Sequence, residues 1–157
     1  MAILPDINVL LPLVYGAHTH HPAAIEWLNA VQQTGEVVLC RVSQIGLLRL
    51  LTNPVVMGPD VQNGSSAWTT WDALLADDRF RFADEPEGFE ANFRLLSMPF
   101  GHQPKRWPDA CLAAFALAMD VELATFDTGF RTFPGLRLGV LAVPPSATST
   151  SRPPQTP

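Results

Sequence analysis

Short apolar runs alternate with longer stretches of helical periodicity along most of the chain. Ala2-Ile3-Leu4-Pro5 reads as a buried strand that ends at Asp6, after which Val9, Leu10, Leu13 and Val14 recur at helical spacing. Pro22 suits a helix first turn, and Ala24, Leu28 and Val31, with Trp27 beside them, form an apolar stripe that Gly35 is expected to stop. Val37-Val38-Leu39-Cys40 is a second strand. Ser43 is then placed to N-cap a helix carrying Leu47, Leu48, Leu50 and Leu51, ended by Asn53-Pro54. After a loop over residues 58–66, Ser65 or Ser66 opens a helix through Trp68, Trp71, Leu74 and Leu75, and Phe80-Arg81-Phe82 alternates as an edge strand does. Residues 87–98 read as a helix, 99–104 as a loop, and the Ala-rich run 108–119 as a helix begun by Pro108. Strands at 123–125 and 138–143 complete the pattern.

Strands alternating with helices, without internal repeat, predict an α/β sandwich around a mostly parallel sheet. Such sheets carry their sites outside the carboxyl ends of the strands. Three acids lie there: Asp6 after the first strand, Asp127 after the strand at 123–125, and Asp109 in the first turn of the helix before that strand. An Asp in apolar surroundings is buried only when paired or ligating. Each acid taken alone reads more readily as a helix N-cap than as a ligand. Three converging carboxylates, however, repel one another unless a cation or shared protons intervene. Hard oxygen ligands select Mg²⁺ or Mn²⁺ over zinc, and the chemistry they support is metal-assisted attack of water on a phosphodiester.

Composition narrows this further. Residues 1–143 hold all 15 acids and nine of the ten bases, which excludes a protein that coats nucleic acid through many phosphate contacts. Local catalysis on nucleic acid stays open, because a metal supplies positive charge where it is needed. Cys40 and Cys111 have neither disulfide nor zinc spacing and read as small buried hydrophobes in a reducing, cytoplasmic setting. No apolar run is long enough for a membrane span or resembles a signal peptide. The domain is expected to occupy residues 1–143, and five prolines among Ser and Thr mark 144–157 as a disordered tail.

The succession Asp6-x-Asn8-x-Leu10, Trp107-Pro108-Asp109-Ala110 with Leu112-Ala113-Ala114, and Thr125-Phe126-Asp127 resembles the PIN-domain ribonucleases. Arg41-Val42-Ser43-Gln44 with Leu47-Leu48-Arg49-Leu50-Leu51-Thr52-Asn53-Pro54 is similar to a branch of the VapC toxins of bacterial toxin–antitoxin systems. The resemblance spans residues 2–142. It implies a PIN-like three-layer α/β/α sandwich and Mg²⁺- or Mn²⁺-dependent endonucleolytic cleavage of RNA. It also implies inhibition by a cognate antitoxin and a homodimer. Asp6 and Asp109 match the principal metal ligands, Asp127 a further acid, and Asn8 and Thr125 the polar neighbours that hold them. One departure stands out: the family usually carries Glu three residues before the position of Arg49, and here that residue is Gly46, with the uncharged Gln44 nearby.

Other residues are less decisive. Lys105 and Arg106 precede Asp109 and are candidates to meet RNA phosphates, or are simply a solvated basic pair. Arg49 is a candidate to stabilise the acids or bind phosphate, or else to form a surface pair. His18, His20 and His21 suggest a metal cluster, but lie far in sequence from the acids without a soft fourth ligand, so loop solvation or a helix N-terminal contact is the expectation. Asp72, Asp77, Asp78, Asp84, Glu85, Glu87 and Glu90 read as a solvated face. Trp27, Trp68 and Trp71 read as core or interface, with a groove for an antitoxin helix as the other use. A haloacid-dehalogenase-type phosphatase also begins with strand–Asp, but Asn8 cannot act as the required acid. A non-catalytic PIN-like module binding RNA or protein is the remaining alternative, motivated by Gly46.

Overall fold

The computed structural model describes residues 1–143; the segment 144–157, expected to be a disordered tail, lies outside the described residues. Five strands and seven α-helices follow one another as β1 (Ile3–Pro5), α1 (Ile7–Val14), α2 (His21–Ala30), β2 (Val37–Leu39), α3 (Arg41–Leu51), α4 (Pro54–Met57), α5 (Gly64–Ala76), β3 (Phe80–Phe82), α6 (Phe89–Ser97), α7 (Trp107–Met119), β4 (Glu122–Thr125) and β5 (Leu138–Val140). The sheet order is β3-β2-β1-β4-β5, and every neighbouring pair is parallel. β3 is the edge strand that its alternating sequence predicts.

Alternate strand residues face opposite layers, as the two-residue period requires. Ile3, Val37, Leu39 and Phe80 pack with α1, α2, α3 and α5, whereas Leu4, Val38 and Leu123 pack with α6 and α7. Both faces of the sheet are therefore covered, which explains why β1 and β2 are continuous apolar runs. From β1 the chain builds outward through β2 and β3, then returns to place β4 on β1's other side. The carboxyl ends of β1 and β4 thus flank the topological switch point where open α/β sheets hold their ligands.

Several helix boundaries differ from expectation. α3 starts at Arg41 behind Cys40, and Ser43 lies fully buried in its first turn with its Oγ 3.4 Å from the Cys40 Sγ. Burial against the thiol thus claims the hydroxyl expected to cap the helix. α5 is capped by Asn63, whose side chain accepts from the Ser66 N–H at 2.9 Å, so Ser65 and Ser66 are already inside the helix. α2 ends at Ala30, well before Gly35, which instead takes a left-handed φ of +68° in the turn into β2. Among the described residues no helix is long and apolar enough to cross a membrane.

The acids at 72–90 are exposed as expected, except Asp77, which is half-buried. Asp77 grips Arg79 through two side-chain bonds of 2.9 and 2.5 Å, Glu90 pairs with Arg94, and Asp84 and Glu85 line a cavity beside Cys40 and Cys111. Turn geometry at 77–79 explains the first of these, since the Asp77 carboxylate also accepts from the Arg79 backbone N–H. Trp71 is core, whereas Trp68 is half-exposed.

Candidate functional site

The site is built where β1 and β4 end side by side. Asp6 leaves β1 and caps α1, its carboxylate accepting from the Ile7 N–H at 2.6 Å. It is 7% exposed, and its own N–H donates to the Ala124 carbonyl, which ties it to β4. Thr125, fully buried at the end of β4, donates from Oγ1 to Asp6 Oδ2 at 2.8 Å. The same hydroxyl oxygen accepts from Asn8 Nδ2 and from the Asp127 N–H, both at 3.0 Å. Asn8 Oδ1 accepts from the Phe126 N–H at 3.2 Å. Asp6, Asn8 and Thr125 are thus one hydrogen-bonded unit centred on a hydroxyl, and no buried side-chain polar atom among the described residues lacks a partner.

Asp127 is exposed and accepts from the Gly129 N–H at 2.7 Å, capping the 3-10 turn Thr128–Thr132. A Cβ at Gly129 would stand 3.0 Å from Asp127 Oδ1, so the carboxylate uses the space that glycine leaves. Asp109 projects from the first turn of α7 and is half-buried.

Electrostatics links the three acids. Desolvation pushes Asp109 up to about 6, with Asp6 and then Asp127 adding to the rise and Arg106 opposing it. Asp6 is raised by burial, against the lowering effect of the Thr125 hydroxyl and the Ile7 and Asn8 N–H groups. The carboxylates therefore stand within charge–charge range of one another. They do not close into a compact shell: among the described residues no three His, Cys, Asp or Glu side chains are gathered as a metal cage. Hard oxygen donors carrying uncompensated negative charge fit Mg²⁺ or Mn²⁺ held by one or two carboxylates with water completing the shell, and fit zinc poorly.

The Gly46 position is filled by Ile7. A Cβ there would lie 2.2 Å from Ile7 Cδ1 and 2.7 Å from Cγ1, so the residue next to Asp6 occupies the volume that a side chain at 46 would need. Arg49 is exposed, lining a cavity of about 240 Å³ with Ile7, Gly46 and Trp107. The side-chain ion pairs found among the described residues join Asp77 to Arg79, Glu90 to Arg94 and Asp120 to Arg137, so Arg49 makes no surface pair there. Nor is it the cation that acts on Asp109; that is Arg106. The Arg106 guanidinium is held over Phe100 at 4.8 Å and Phe133 at 5.2 Å and donates to Thr132 Oγ1, while Lys105 is exposed.

Sequence distance concealed two features. The loop after α1 carries His18 and His20 to a cleft shared with Asn8, Phe126 and Asp127. A zinc cluster is not what they form: His18 Nδ1 accepts from the His20 N–H, and His21 Nδ1 donates to the Pro12 carbonyl at 2.6 Å. Burial, with His20 and His21 nearby, lowers His18. Phe126 carried a signal in its place between Thr125 and Asp127; the His loop carried only its composition. Cys40 and Cys111 are free, and burial raises the Cys111 thiol to about 11, which leaves it protonated and inert at neutral pH.

The PIN domain family matches residues 3–136. Ribonuclease VapC41 of Mycobacterium tuberculosis is 42% identical over 145 residues, covering 89% of this chain and 99% of that protein. Among solved structures, VapBC2 from Rickettsia felis bound to a DNA fragment from its promoter aligns with TM-score 0.63 at 14% identity, over 90% of this chain and 100% of that one. A toxin–antitoxin complex from Klebsiella pneumoniae aligns with TM-score 0.56 at 17% identity, over 86% and 95%.

Proposed function

The chain belongs to the PIN domain family and, within it, to the VapC ribonucleases, and from that premise we propose that it is an endoribonuclease toxin that hydrolyses RNA with a bound Mg²⁺ or Mn²⁺ and is held in check by a cognate antitoxin. One observation carries the metal-dependent reading: Asp109 is held up to about 6 by burial and by Asp6 and Asp127, an arrangement that a divalent cation relieves. Asp6 and Asp109 are assigned as the principal residues that would hold the cation, and Asp127 as a further acid of the same cluster. When bound, the cation lowers the pKa of water and offsets charge on the phosphoryl oxygens.

The remaining work falls to the protein. Thr125 and the Ile7 N–H fix the Asp6 carboxylate, so its oxygens are aimed before any ligand arrives. Asn8 joins that unit to the backbone after β4 through the Phe126 N–H, and the Thr125 hydroxyl oxygen accepts from the Asp127 N–H. Lys105, at the exposed rim, is assigned to RNA phosphate; Arg106 acts from its aromatic cradle on the charge of the site. Arg49 is assigned to phosphate at the mouth of the neighbouring cavity.

Ile45, Val55, Val56 and Trp68, exposed on α3 to α5, supply apolar surface for a second copy or for the antitoxin, and the same reading places the chain in the cytoplasm with its RNA substrate. The decisive experiment is cleavage of single-stranded RNA by purified protein with Mn²⁺ or Mg²⁺. Activity abolished by EDTA and by Asp6→Ala or Asp109→Ala, with folding retained, is the expected result. Cleavage that survives EDTA or either substitution overturns the assignment, and metal-independent RNA binding without cleavage would instead mark a binding module.

A further inference from the structure

Beside the acids lies a cleft of about 440 Å³, and its walls are of two kinds. Asn8 and Asp127 belong to the polar network at the strand ends. With them stand Leu11, His18, His20 and Phe126, brought together from α1, the loop after it and the end of β4. The His20 ring lies 4.6 Å from that of Phe126 at an interplanar angle of 40°, and His18 meets His20 edge-on at 5.4 Å and 65°. The His18 ring accepts from the His20 N–H and the His21 ring donates to the Pro12 carbonyl, contacts that hold this loop in place, so the rings form a preset wall.

Charge decides what such a cleft accepts. Asp127 at its edge repels a phosphate that no cation shields, whereas a neutral planar base gains from the aromatic faces and from leaving water. The volume leaves ample room for a planar base in a largely apolar recess. Aromatic and imidazole rings are the usual platforms for unstacked bases of single-stranded RNA. Because Asn8 and Asp127 are shared with the acid site, a base seated here belongs to a nucleotide adjoining the phosphate that the acids engage.

We propose that the cleft walled by His18, His20 and Phe126 is a nucleobase subsite, which stacks the base flanking the scissile phosphodiester; this rests on the ribonuclease reading above. His20 is here a positioning residue that binds substrate and takes no part in proton transfer.

The test is steady-state cleavage of a fluorescent single-stranded RNA whose cut site has been mapped. His20→Ala is expected to raise KM about 5- to 100-fold with kcat nearly unchanged, the range expected for losing one base–ring stack, and His20→Phe to restore it. In parallel, an abasic nucleotide beside the cut should weaken wild-type binding by a similar factor and leave His20→Ala unaffected. An unchanged KM in folded His20→Ala, a fall confined to kcat, or an abasic substrate cleaved by wild type as well as the intact one each overturns the subsite. The abasic arm decides the matter even if His20→Ala fails to fold. Absence of RNA cleavage by wild type overturns the ribonuclease reading itself, and is thereby distinguished from failure of the subsite alone.

Discussion

At the residue scale, one hydroxyl joins three groups. Thr125→Val keeps the shape but strips the donor to Asp6 and the acceptor for Asn8 and the Asp127 N–H. Buried polar groups left without partners cost about 1–3 kcal/mol each, and some relax toward water. A loss of about 2–4 kcal/mol in urea unfolding is expected, with cleavage reduced at least tenfold.

Asp109 makes a pH prediction with a definite sign. Its folded value of about 6 lies above the ordinary 3.8, so the folded chain holds a proton that the unfolded chain has released. Its contribution to stability is complete below about pH 4 and is lost as pH rises through about 6. The shift corresponds to at most about 3 kcal/mol, reduced to about 1–2 kcal/mol by solvent at this half-exposed group. Asp109→Asn should remove that loss, seen as metal-free unfolding curves of wild type and variant that converge below about pH 4, separate between about pH 4 and 6 and stay apart above.

Gly46 supplies a third case. Restoring the family's acid by Gly46→Glu forces a Cβ into Ile7, so a lower melting temperature and no gain in activity are expected. Ile7→Ala combined with Gly46→Glu should recover part of that stability. Recovery measured by thermal melts would show that the two positions share one volume.

At the scale of elements, the short β3 is fastened at its start by side chains. Arg79 binds Asp77 twice and donates to the Leu28 carbonyl near the end of α2. Arg79→Met should cost about 1–2 kcal/mol in urea unfolding. The Asp77 carboxyl is held below its usual value mainly by the Arg79 hydrogen bonds. This tie therefore stabilises the fold above about pH 4 and is lost as pH falls through the depressed value, opposite in sign to Asp109.

Most elements were legible because their causes are local: apolar runs bounded by Pro, Asn and acids, and a helix opened by Pro108. The caps of α3 and α5 were not, because a serine can cap or be buried, and the choice rests on neighbours such as Cys40 that the local pattern does not weigh.

On the scale of the whole molecule, the switch point gathers carboxylates from β1, α7 and the end of β4, and a cation should bind the folded chain alone. At a hundred times its dissociation constant such a ligand adds about 2.7 kcal/mol, or about 5–10 °C in melting temperature for a chain of this size. Mn²⁺ should give that rise near pH 7.5, little of it near pH 5 where Asp109 holds its proton, and none in Asp109→Ala. A rise of equal size in Asp109→Ala would remove that residue from the ligand set.

The sequence by itself determined the alternating strands and helices, the acids at their ends and the surplus of negative charge, since each follows from residues close along the chain. The motifs also carried the family, which the comparisons bear out over residues 3–136. Only the tertiary structure decided that Thr125 reaches Asp6 across a gap of 119 positions, that Ile7 fills the space beside Gly46, and that the His loop faces Phe126. Those are consequences of β4 returning to β1 and of burial shared between distant segments. Local periodicity has no term for either.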